Sequence, residues 1–154
     1  MSNFRKIDFN NSKDQIDFLS LLEGYMLDPM GGLPVLTKEK KSRILADLSS
    51  MLHIKGFFSC HCSEPIGFIL AFEVYSTFLG GKAYNIHDFY IHPDYRRLGN
   101  GSYLFEHFLI WAKDQDAVKI SLEVRKDNLY AQKLYHKFGF DKTNPEMLFY
   151  VKTA

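Results

Sequence analysis

The sequence predicts an α+β fold, a mixed and mostly antiparallel sheet with helices on its faces. Three observations carry this. After a short first strand the hydrophobic period is helical from Ser12 to Leu52, apart from one loop, and changes to that of strands at Gly56. FFSCHC, a turn at SEP, and IGFILAFEVY then read as an antiparallel hairpin. From Tyr84 to Val124 the pattern is strand, helix, strand, which makes two parallel strands with a right-handed crossover.

Taken in order, FRKID at 4 to 8 alternates apolar and polar residues as a first strand. Ser12 with Gln15 three residues later forms a capping-box pattern, and Ile16, Leu19 and Leu22 recur at helical spacing. That helix stops before Pro29, since the residue preceding proline avoids the α region. DPMGGLP is a loop, and Thr37 caps a second helix carrying Ile44, Leu45, Leu48 and Leu52. After the hairpin, a strand runs from Tyr84 to His92 and is closed by Pro93. Leu104, Phe105, Phe108, Leu109 and Ala112 mark a long amphipathic helix. VKISLEV is a strand, and Asn128 to Lys137 is a helix with Ala131, Leu134 and Phe138 on one face, ended by Gly139. MLFYVK is a closing strand.

Length and composition fit one domain over residues 1–154: 46% of residues are hydrophobic and 24% charged. A net charge of +1 lacks the basic excess of a nucleic-acid binder. No apolar run has the length of a membrane span, and MSNFRKIDFNN has no signal-peptide core, so a cytoplasmic setting is expected. Cys60 and Cys62, two apart on a strand, are poorly placed for a disulfide, and a reducing compartment suits them. His61 between them would point to the opposite face, so no metal site is expected. Fourteen Phe and nine Tyr point mainly to an aromatic-rich core.

HPDYRRLGNGSYL, at 92 to 104, carries the chemistry. A helix N-terminus offers unbonded N–H groups and partial positive charge. Gly99 and Gly101 let the backbone approach a ligand closely, and Arg96 and Arg97 add charges suited to phosphate. The third glycine of a dinucleotide fingerprint is replaced by Leu104, and no Gly-Lys-Ser/Thr follows, which removes the P-loop. On this stretch alone a phosphate cradle and a solvated basic turn both stand.

The segment R-R-L-G-N-G-S, residues 96 to 102, resembles the acetyl-CoA loop of the GNAT N-acetyltransferases, Arg/Gln-x-x-Gly-x-Gly/Ala. A second stretch, N-L-Y-A-Q-K-L-Y-H-K-F-G-F, resembles the family's N-x-x-A-x-x-L-Y-x-x-x-G-F through Asn128, Ala131, Leu134, Tyr135, Gly139 and Phe140. The resemblance covers residues 65 to 140. One departure is Asn100, where the family usually has an aliphatic residue; with phosphates held by backbone amides, the change should alter packing more than binding.

The resemblance implies a twisted sheet of 6–7 strands with a splayed parallel pair that holds acetyl-CoA. It also implies transfer of acetyl to an amine by direct attack in a ternary complex. Leu98, Gly99, Asn100, Gly101 and Ser102, with Arg96, Arg97 and Asn128, would hold the cofactor, and Phe89, Tyr90 and Ile91 would line its pantetheine arm. The amine arrives as ammonium, with a pKa near ~10.4 for a lysine-like group, so a base is needed, and the leaving thiolate needs an acid. Tyr135 matches the family's acid. YNIHDFYI resembles the L-E-D-F-F-V strand of spermidine/spermine acetyltransferases, which puts His87 in the place of the base and Asp88 beside it, on the opposite face by alternation. L-E-V-R-x-x-N resembles ribosomal-protein alanine acetyltransferases and makes Glu123 the competing base; a water relay would let both contribute. Tyr25, Asp28 and Glu73 are candidates to shape the acceptor site and attract a cation. The expected acceptor is a small-molecule primary amine, polyamine or amino-acid-like, and a homodimer is common in the family. The alternatives are a protein N-terminal or lysine acetyltransferase and a non-catalytic acyl-CoA-binding module.

Overall fold

The computed structural model describes residues 2–154, and Met1 of the expected domain lies outside the described residues. Five strands form one sheet in sequential order: β1 (Ser2–Lys6), β2 (Ile54–His61), β3 (Glu64–Ser76), β4 (Gly81–Ile91) and β5 (Lys119–Leu122). The first four pair antiparallel, and β4 and β5 pair in parallel, as the crossover rule requires. Four helices flank the sheet: α1 (Ser12–Leu27), α2 (Lys38–Ser50), α3 (Asn100–Asp114) and α4 (Leu129–Lys137).

The two faces carry separate cores. Phe57, Ile69, Tyr84 and Ile86 meet Leu104, Phe105 and Phe108 of α3 and Tyr135 of α4. On the other face Phe58, Phe68, Leu70 and Tyr90 meet Phe18 and Leu21 of α1, with Ile44, Leu45 and Leu48 of α2 at the margin. Tyr84, Phe58, Phe68, Phe105 and Phe108 are each less than 2% exposed, which accounts for much of the aromatic content.

Several expectations are corrected. Asn11, not Ser12, caps α1, its side chain accepting from the Lys13 and Asp14 amides. The buried stripe of α1 is Asp14, Phe18 and Leu21, and Ile16 is exposed. A polar residue can occupy the stripe because Asp14 accepts two bonds from Arg5, both 2.8 Å, and one from the Asp8 amide at 2.9 Å. The β2–β3 turn falls on Cys62 and Ser63, both at positive φ, so Cys62 lies beyond β2 and Cys60 alone is a buried strand cysteine. Leu52 lies past the end of α2 and is exposed.

The closing strand is absent. Residues 141–154 have no regular structure, and Met147, Leu148, Phe149, Tyr150 and Val151 are all exposed. The sheet therefore has five strands instead of the expected 6–7. The outer edge of β5 is four residues long, a short template for a sixth strand, and Pro145 lacks an amide to donate.

Candidate functional site

β4 carries the site because two features interrupt it. Its register with β3 shifts between Leu70 and Ala71: Ala71 faces Ile86, Leu70 faces Asp88, and His87 is the extra residue of a bulge. Its ladder with β5 ends at Ile86 and Leu122, although β4 runs on to Ile91. Beyond the bulge, therefore, β4 has one paired edge and one edge open toward α3 and α4.

The bulge overturns simple alternation. The His87 ring stands edge-on to Phe72, centroids 5.3 Å apart, on the α1/α2 face. Asp88 lies opposite Leu70 of the same core, so His87 and Asp88 share a face instead of opposing each other. Phe89 and Ile91 then turn to the α3 face and Tyr90 to the α1 face, where its ring centroid is 5.7 Å from that of Tyr25. His87 is exposed, while burial raises the Asp88 carboxyl above the ordinary carboxylate range, partly offset by His87.

The open edge leads to the start of α3. Gly99, at φ 85°, precedes the helix, and no side chain caps it, which leaves the first amides of α3 available to an anion. Leu98 projects into solvent. Asn100 is buried and donates to the Tyr95 carbonyl at 2.9 Å, so the unusual residue between the glycines secures the preceding 3-10 turn. Gly101 faces Phe89 and Ile91.

The two arginines diverge. Arg97, at φ 61°, donates to the Tyr130 hydroxyl at 3.2 Å and lies over that ring. Arg96 turns the other way: its Nε donates to the Ile91 carbonyl and its Nη2 to Asp28, both at 2.7 Å. Lys137, which sequence reasoning passed over, approaches Ser102 in the first turn of α3, 3.4 Å from its hydroxyl. Tyr130 and Lys137 stand at unspecified positions within the second motif, and only their proximity in space singles them out. Asn128 caps α4 by accepting from the Ala131 amide.

Tyr135 lies between Phe89 and Phe105, its centroid 6.5 and 5.2 Å from theirs. Burial first, then the Tyr25 hydroxyl, pushes its phenol up to about 12, so the group stays protonated across the physiological range. Tyr25 is raised by its own burial and senses Asp88, Asp28 and Arg125 as well. The Tyr135 phenol in the α3-face core thus senses the Tyr25 hydroxyl on the other face, and Tyr25 in turn senses Asp88.

Not every expected residue joins this cluster. Glu73 lies opposite Tyr84 and receives its hydroxyl at 3.4 Å, with Lys55 at 3.5 Å, on the α3 face away from Asp88. Glu123 is exposed just past the end of β5, where the pairing with β4 stops. Asp28 is paired with Arg96. Among the described residues no group of three or more His, Cys, Asp or Glu is arranged to hold a metal, and no helix is long and apolar enough to cross a membrane.

Residues 33–140 match the model of the acetyltransferase (GNAT) family. A Bacillus subtilis (strain 168) protein named as a candidate ribosomal protein bS18-alanine N-acetyltransferase is 47% identical over 49 residues, a match spanning 32% of each chain. The crystal structure of a probable acetyltransferase superposes with a TM-score of 0.82 at 16% identity, covering 100% of this chain and 98% of that one. AAC(6')-Iy in complex with the bisubstrate analogue CoA-S-monomethyl-acetylneamine superposes with a TM-score of 0.77 at 15% identity, covering 100% and 99%.

Proposed function

The chain belongs to the GNAT acetyltransferase family, and from that premise we propose that it is an acetyl-CoA-dependent N-acetyltransferase acting on the primary amine of a small molecule, polyamine or amino-acid-like. The observation that carries this reading is the open edge of β4: its pairing with β5 ends at Ile86, and there Tyr135 on the α3 face senses Tyr25, and Tyr25 senses Asp88, on the α1/α2 face.

The residues fit the coenzyme. Its pyrophosphate suits the uncapped amides at the start of α3, with Arg97 and Lys137 beside them. Its pantetheine arm, an amide chain, suits the open edge of β4 at Phe89 to Ile91. Bound there, it supplies a thioester as the acyl donor.

The acceptor enters from the α1/α2 face. Asp88 draws the ammonium by charge, and His87, exposed beside it, takes the proton. The freed amine attacks the thioester carbon; the carbon–sulfur bond breaks as the new carbon–nitrogen bond completes. A free β4 amide donates to the oxygen that gains charge, Tyr135 donates its proton to the departing sulfur, and the proton shed by the acylated nitrogen restores the phenol. A buried, protonated phenol suits this step, since its proton is still present at neutral pH.

The test is thiol release from acetyl-CoA across polyamines, amino acids, aminoglycosides and short peptides. Turnover on small amines is expected; acetyl-CoA binding without turnover on any amine would leave only the acyl-CoA-binding module. A second reading, protein N-terminal acetylation, is favoured by exposed Glu123 just past the end of β5. It predicts that peptides outcompete small amines, and that Glu123→Ala, not His87→Ala, removes the acidic limb of the pH profile. A cytoplasmic setting and a homodimer remain part of the proposal, the latter read by light scattering.

A further inference from the structure

Asp28 ends α1 and opens the acceptor loop, and its carboxylate is fully committed. Oδ1 accepts from the Met30 amide at 2.9 Å and Oδ2 from Arg96 at 2.7 Å, with the side chain 9% exposed. Burial alone would raise this carboxyl, but the Met30 amide and Arg96 outweigh it and hold the group below the ordinary range. A carboxylate so occupied has little left to offer an acceptor cation.

The loop itself is stiff. The Gly31 and Gly32 amides donate to the Asp28 carbonyl at 2.8 and 2.9 Å, and Leu33 donates to the Met26 carbonyl at 2.9 Å. A Cβ at Gly31 would collide with the Tyr25 carbonyl. Such a turn moves as a unit, and two arginines tie it to the rest of the molecule. Arg125 reaches the Met30 carbonyl only at 3.5 Å, so Arg96 is the stronger tie.

Arg96 is also well placed to sense the coenzyme. It stands three residues before Gly99, its Nε holds the carbonyl of Ile91 at the end of β4, and its guanidinium lies 5.3 Å from the centroid of the Tyr90 ring, which packs against Tyr25. One planar group, carried on the coenzyme loop, thus touches both the strand beside the pantetheine path and the acceptor loop.

We propose that Asp28 is a positioning residue, and that its ion pair with Arg96 latches the acceptor loop 28–33 to the coenzyme loop so that acetyl-CoA binding orders the amine site. The inference rests on the acetyltransferase reading and assigns Arg96 to coupling the two sites, in place of a purely phosphate-binding role. It also gives the acceptor preference a structural origin in the turn that Asp28 fixes.

The test is hydrogen exchange of segment 26–33 with and without acetyl-CoA, in the wild-type chain, Asp28→Asn and Arg96→Ala, alongside steady-state kinetics. In the wild type acetyl-CoA is expected to protect the segment. In Asp28→Asn that protection falls, the amine KM rises about 10-fold, and kcat and acetyl-CoA affinity stay within about threefold. Arg96→Ala frees Asp28 without touching its bond to Met30 and should lose the same protection; Asp28→Glu, which keeps the charge, should recover part of it. Equal protection in all variants, or a fall in kcat with KM unchanged, overturns the latch while leaving the acetyltransferase reading intact. Failure of the wild type to bind acetyl-CoA overturns both.

Discussion

Tyr135 stays protonated because its environment is apolar, its ring packing against Phe89, Phe105 and Phe140. Replacing it with Phe keeps that packing and removes only the proton. Tyr135→Phe should therefore lower kcat by roughly 10²-fold or more, with acetyl-CoA affinity and melting temperature nearly unchanged. Because the phenol is pushed up to about 12, no alkaline limb near neutral pH belongs to Tyr135. Asp88 makes a separate prediction. Its carboxyl is raised by burial, so the native state holds that proton more tightly than the unfolded chain does. The stability from this group is complete below the ordinary carboxylate pKa and is lost as pH rises through the raised native value. Asp88→Asn, which cannot ionise, should gain melting temperature relative to wild type as pH rises above the ordinary carboxylate range. A constant difference over that rise would remove burial as the cause. The same variant should raise the amine KM, because the carboxylate that draws the ammonium is gone.

Two local departures from regularity build the site. The bulge at His87 places two polar side chains side by side where a regular strand would separate them. The letters YNIHDFYI gave no sign of it, since a bulge is set by pairing with β3 and not by composition; alternation, the only available rule, put Asp88 on the wrong face. The start of α3 was legible, because a left-handed residue ahead of a helix demands glycine and the sequence places one there. At φ 85° Gly99 meets no atom within 4 Å of a built Cβ, so Gly99→Ala costs backbone strain alone, about 1 kcal/mol. The melting temperature should fall by a few degrees, and acetyl-CoA affinity should fall with it as the first amides of α3 are turned aside. Calorimetric titration checks both loop geometry and anion binding; an affinity equal to wild type would place the phosphates elsewhere.

At the scale of the molecule, the Arg5–Asp14 pair fastens β1 to α1 and so closes the α1/α2 core over the sheet. The pairing holds the Asp14 carboxyl below its ordinary range, chiefly through the Arg5 hydrogen bonds. Asp14→Ala removes the carboxylate that the partly exposed Arg5 guanidinium and the Asp8 amide share and should cost about 1–2 kcal/mol near neutral pH. Since the native pKa is depressed, this contribution is present above the ordinary carboxylate value and is lost as pH falls through the native one; denaturant midpoints for variant and wild type should converge in acid. At the opposite edge of the sheet, a groove of about 420 Å³ lined by Leu109, Val118, Ile120, Phe138 and Phe140 stays open beside β5. MLFYVK is a run of apolar, strand-prone residues, yet such a run says only that a segment can pair; the length of the edge it meets decides whether it does.

By itself the sequence determined the order of the elements as far as α4, the two parallel strands and the glycine turn ahead of α3. It also determined, through the Asn128-to-Phe140 pattern, the family to which the chain belongs. These are local properties, written in periodicity, proline and glycine placement, and motif spacing. Only the tertiary structure decided that His87 and Asp88 share a face, that Glu73 lies across the sheet from them, that Lys137 approaches the α3 N-terminus, and that Arg96 reaches back to Asp28, 68 residues away in the chain. Register shifts and long-range ion pairs arise when separate segments meet, and the free energy that fixes them belongs to the contact rather than to either segment.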